Sequence, residues 1–147
     1  MKTAGIIMII VTSTLLSAII CKYEKSKIDY CDKMIFLGSK VMVLLNTTLP
    51  ETEKIFALLN NCEKLKNIDL NDIYSSSPLK KDENDKISDY LSSIGKFDTQ
   101  TQINKAFEFC ETFRLLKEDY RQYYSSHCKI IYALGFSVGC LTAILLI

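Results

Sequence analysis

Hydrophobic and polar positions divide the chain into an uncharged run at each end and an amphipathic middle. The last third, residues 98–147, reads as one helix. No Gly or Pro interrupts 99–129, and apolar residues recur at Phe109, Phe113, Leu116, Tyr120 and Tyr123. Steps of three and four place them on one stripe of a helix. From Ile130 the sequence IIYALGFSVGCLTAILLI continues for eighteen residues without a charge. At about 1.5 Å per residue that is roughly 27 Å, close to the hydrocarbon thickness of a bilayer. Residues 3–21 form a second uncharged run of nineteen, with Lys2 before it and Lys22, Lys25 and Lys27 after. No small-x-small cleavage site closes this run, since Leu15, Leu16, Ser17 and Ala18 do not supply the spacing. Ile20 stands before Cys21, where a lipoprotein signal requires a small residue. Both runs are therefore expected to be retained transmembrane helices.

Between them, Cys31, Met34, Ile35, Gly38, Val41, Met42 and Leu45 extend the first helix by the i, i+3, i+4, i+7 rule. The turn Thr48-Leu49-Pro50-Glu51 ends it: Thr48 is a capping residue, Glu51 completes a capping box, and Pro50 falls in the first turn. Ile55, Leu58, Leu59 and Cys62 predict a short second helix. Residues 64–85 read as a mostly solvated connection, with a short helix at most around Ile68, Leu70 and Ile73. Ile87, Tyr90, Leu91 and Ile94 predict a helix over 86–94. Gly95 then fits a left-handed C-cap and Asp98 an N-cap for the last helix. Roughly 36 Å of helix leads away from the membrane and roughly 46 Å returns. Both turns are thereby expected far from the bilayer, as candidate contacts for a cytosolic partner. The expected fold class is all-α: a membrane-anchored antiparallel helical hairpin or bundle with N- and C-terminal transmembrane helices. Its parts are a span at 3–21, a cytoplasmic domain at 22–129 and a span at 130–147.

Charge narrows the function. Of eighteen Lys and Arg, Lys2 alone lies outside 22–129, so the middle carries seventeen basic and seventeen acidic residues. A nucleic-acid surface would need a basic excess. Lysines after the first run, with Lys117, Arg121 and Lys129 before the second, place the middle in the cytoplasm by the positive-inside rule. The six cysteines have no C-x-x-C spacing and the single His127 adjoins Cys128, which speaks against zinc. None of the five glycines belongs to a phosphate loop, and His127 lacks the setting of a Cys–His nucleophile. No catalytic residue, metal or cofactor is expected. Gly135, Gly139 and Ala143 form a small-xxx-small ridge, matched by Ser13 and Ser17 on the first run. It suits either an oligomer contact or, as the favoured reading, packing of the chain's own two membrane helices. Tyr132 and Tyr124 suit an interfacial aromatic belt.

The order of these features resembles the stage III sporulation protein AB family of endospore-forming bacteria. The residues that carry the resemblance are Thr48, Leu49, Pro50 and Glu51; Ile94, Gly95, Asp98 and Gln102; and Tyr132, Ala133, Leu134, Gly135 and Gly139. One departure is the middle, where the family has a longer helical segment with a tryptophan; this chain has no Trp and a shorter 64–85. The resemblance implies a non-enzymatic membrane component of the mother cell–forespore channel, similar to a type II secretion platform protein. Its implied partners are the AA-type ATPase of the same operon and other channel membrane proteins, beside the lipid bilayer, with a homo-oligomer left open. The implied location is the mother-cell membrane that becomes the outer forespore membrane. A competing reading is an exported, anchored surface protein whose Cys31, Cys62, Cys110 and Cys128 pair, with Asn46-Thr47-Thr48 as a glycosylation sequon.

Overall fold

A computed structural model describes residues 2–47, 52–66, 68–70 and 72–145. Among these residues five α-helices follow in order: α1 (Lys2–Thr47), α2 (Thr52–Asn60), α3 (Ile73–Ser76), α4 (Lys81–Ser93) and α5 (Thr99–Leu145), with a 3-10 turn at Glu63–Leu65. No strand occurs among the described residues. The chain forms two compact units, one of Met1–Ser26 with Asp119–Ile147, the other of Lys27–Glu118.

The first unit is a helical hairpin. Its helices pair antiparallel, since Ser17 meets Gly135 while the earlier Ser13 meets the later Gly139. Large apolar side chains point outward along both helices, including Ile7, Leu15, Leu16 and Ile19 on α1 and Leu134, Phe136, Leu141 and Ile144 on α5. Water penalises an apolar surface of this extent, whereas lipid does not. α1 and α5 are both long and apolar enough to cross a membrane. Hydroxyls within the apolar runs are bonded one turn back: Thr12 to the Met8 carbonyl at 2.9 Å, Thr14 to Ile10 at 3.0 Å, Ser137 to Ala133 at 2.8 Å and Thr142 to Val138 at 2.9 Å. Such back-bonding satisfies polar groups where no water is at hand.

The second unit has its own core. α1 supplies Met34, Leu37 and Val41, α2 supplies Ile55 and Leu59, α4 supplies Ile87 and Leu91, and α5 supplies Ala106, Phe109 and Phe113. At Gly38 helix α1 comes so close to α5 that an added β-carbon would lie 2.5 Å from the Cys110 sulfur and 3.0 Å from Phe109. Tyr90 stacks on Phe109 with ring centres 4.1 Å apart, and Phe109 meets Phe113 at 4.7 Å. The Lys117 ammonium reaches the Asp32 carboxylate at 2.7 Å.

The stretch expected to be a solvated connection is otherwise. Leu65, Ile68, Leu70, Ile73 and Leu79 are all buried, because isolated apolar residues in a loop can be drawn into a core without any periodic pattern. α4 begins at Lys81, five residues earlier than expected. The Glu83 carboxylate accepts from the Lys80 backbone N–H at 2.9 Å, so part of the charge run serves to start the helix. Leu58, expected inward, is exposed, and Cys62 lies beyond the end of α2. Tyr123 is also exposed, although it continues the stripe of Phe109 and Phe113.

Candidate functional site

In the Lys27–Glu118 unit the turn between α4 and α5 is built from Gly95, Asp98 and Gln102. Helix α4 stops because Gly95 takes φ +83°, and the Lys96 N–H then bonds the Ser93 carbonyl at 3.2 Å. α5 starts on Asp98, whose carboxylate accepts from the Thr101 backbone N–H at 3.0 Å and the Thr101 hydroxyl at 2.7 Å. These bonds, the side-chain one foremost, hold the Asp98 carboxyl below the usual aspartate range. Gln102 closes the turn from the next helical position down. Its carbonyl oxygen accepts from the Gly95 N–H at 3.0 Å and its amide nitrogen donates to the Phe97 carbonyl at 2.6 Å. The glycine, the aspartate and the glutamine of the sequence pattern thus form one hydrogen-bonded unit.

Two neighbours of this turn carry no signal in the sequence. A β-carbon at Gly95 would collide with the hydroxyl of Thr52, the first residue of α2. Phe97, nearly half exposed, has the Lys105 ammonium 4.2 Å above its ring centre. Phe97 lies before the Asp98 cap and outside α5, so helical periodicity says nothing of its position over Lys105. Thr48, Leu49, Pro50 and Glu51, the other candidate turn, lie outside the described residues.

In the hairpin unit Gly135, Gly139 and Ala143 face α1. Ser13 donates to the Gly135 carbonyl at 2.5 Å. A β-carbon at Gly135 would overlap the Ser17 hydroxyl, and one at Gly139 would sit 3.2 Å from the Ile10 Cα. Ala143 is buried. The ridge is therefore occupied by the chain's own first helix. Further along, His127 is exposed and stacks on Tyr123 with centres 4.0 Å apart, while its neighbour Cys128 is buried.

All six cysteines are unpaired. Burial pushes the Cys31 thiol up to about 12 and raises that of Cys110 as well, so both behave as small apolar core residues. No group of three or more His, Cys, Asp or Glu side chains suited to a metal occurs among the described residues.

The family model of stage III sporulation protein AB matches residues 60–147, which is 88 of the 147 positions. The chain belongs to this family. Membership in the stage III sporulation protein AB family brings a role in sporulation with it. The match includes Gly95, Asp98, Gln102, Gly135, Gly139 and Ala143, and begins after the turn at 48–51. No curated protein and no solved structure gives a significant match.

Proposed function

We propose that this chain is a non-enzymatic, two-pass membrane platform of the apparatus linking mother cell and forespore during endospore formation. Residues 3–21 and 130–147 span the bilayer, and 22–129 forms a cytoplasmic helical domain that docks the AA-type ATPase of the same operon. The membrane is the mother-cell membrane that becomes the outer forespore membrane, and the remaining partners are other membrane proteins of the channel, with no nucleic acid among them. The observation that carries this reading is the hairpin whose two membrane-length helices turn apolar side chains outward and close on each other through small residues. Family membership supports its place in sporulation. The lysines that follow the first span support the orientation. The outward stacking of His127 on Tyr123 and the burial of Cys31 and Cys110 support a role without a Cys–His catalytic pair. The exposed turn at 95–98, with Phe97 and Lys105, is the surface offered to the ATPase.

Topology tests this reading. Cysteine is placed at the exposed Ser76, with the native cysteines replaced, and intact cells are treated with a membrane-impermeant maleimide. Protection of Ser76→Cys until lysis is expected. Labelling in intact cells would put 22–129 outside, where no cytosolic ATPase can reach it.

A further inference from the structure

Two cysteines that the platform reading leaves unused face each other across the hairpin. Along α1, Cys21 follows Ser17 by one turn. Along α5, Cys128 precedes Gly135 by two turns. Gly135 lies against both Ser13 and Ser17, so its opposite on α1 is midway between them, and about six residues onward along α1 and back along α5 bring Cys21 beside Cys128. The contact is observed: the Cys21 sulfur lies 3.8 Å from the Cys128 carbonyl oxygen, and the two residues are only 2% and 6% exposed. About three turns along the hairpin the small-residue seam holds the same two helices at close range, a β-carbon at Gly139 lying 3.2 Å from the Ile10 backbone. A disulfide requires Cα atoms about 4.4–6.8 Å apart, and oxidative cross-linking reads whether the pair reaches that separation.

We propose that Cys21 and Cys128 form a dithiol modification site that hydrogen peroxide closes into a disulfide between the two helices. Buried thiols exclude bulky disulfide reagents, whereas an uncharged oxidant little larger than water can enter the seam. One sulfur attacks a peroxide oxygen. The S–O bond forms, the O–O bond breaks, and the departing hydroxide leaves as water with that thiol's proton. The second sulfur then attacks the sulfenic sulfur. The S–S bond forms, the S–O bond breaks, and the second hydroxide leaves as water with the second proton. Two thiols and one peroxide give one disulfide and two waters, the sulfurs losing the two electrons that the peroxide gains.

The test uses the full-length chain in membrane vesicles. After peroxide, the vesicles are dissolved in SDS with N-ethylmaleimide, so that unfolding opens every remaining thiol to alkylation, and the chain is digested without reductant and mapped by mass spectrometry. The expected product is a peptide pair joining Cys21 to Cys128, released by dithiothreitol, with equal loss of alkylation at both positions. Cys21 and Cys128 both remaining alkylatable after peroxide overturns the proposal, as does their linkage to Cys62 or Cys140 instead. The wild-type chain supplies both readouts, so no substitution that disturbs the hairpin is needed.

Discussion

A β-carbon at position 95 would meet two separate objections, one from the backbone and one from a neighbour. The left-handed conformation costs an L-residue about 1–2 kcal/mol, and Thr52 occupies the space the new carbon needs. Gly95→Ala is therefore expected to lower stability by more than the backbone cost alone. Adding Thr52→Ala should recover the collision and leave the backbone cost, as read by denaturant unfolding of the detergent-solubilised protein. No recovery in the double variant would mean that α2 does not rest on this turn. Asp98 makes a prediction about pH. Its folded-state pKa lies below the unfolded value, because Thr101 binds the charged form. The cap is thus fully present above the ordinary aspartate pKa near 3.9 and is lost as pH falls through the lowered one. Asp98→Asn keeps a capping side chain without a titrating proton. Its stability should lose part of the acid dependence between about pH 5 and 3, and an unchanged acid profile would remove Asp98 as a source of it.

At the level of elements, the hairpin seam is the most exacting contact. A leucine at position 135 has to displace Ser17 and Ser13, and overpacking of this kind costs about 1–3 kcal/mol. Gly135→Leu should lower the midpoint of an SDS titration, whereas Gly5→Leu, where an added β-carbon meets nothing within 4 Å, should leave it unchanged. Equal midpoints for the two would mean that the seam contributes nothing. The ridge itself was legible in the sequence, because small residues repeating every fourth position leave a shallow groove along an apolar helix that a second helix can fill. The Gly95–Gln102 turn was legible too, since each residue has a conformational or capping preference that stands without tertiary information. The stretch at 64–85 was not. Leu65, Ile68, Leu70, Ile73 and Leu79 are separated by two, one, two and five residues, which is neither a helical nor a strand period, and only the assembled core shows that they are covered. Tyr123 failed for a related reason. Steps of three and four both keep to a helical face, and Tyr123 and Tyr124 are apolar alternatives after Tyr120. The covered positions run through Tyr120 and Tyr124 to Cys128, so the step of four is the one that follows the packed face.

For the whole molecule, the family match covers α3, α4, α5 and the last residue of α2, while α1, joined by Ile55 and Leu59 of α2 in the second unit, supplies the rest of each core. Both units are thus completed by residues distant in sequence: Gly38 against Cys110 in one, Ser13 against Gly135 in the other. The topology test bears on the chain as a whole, since one labelled position orients both apolar helices at once. The Ser13–Gly135 bond also joins positions 122 residues apart. At about 5–20 residues per second of synthesis, roughly 6–24 s separate the making of its two partners. For that interval the serine face of α1 has no matching helix from its own chain, and any neighbour presenting small residues in the same bilayer has the first opportunity to occupy it.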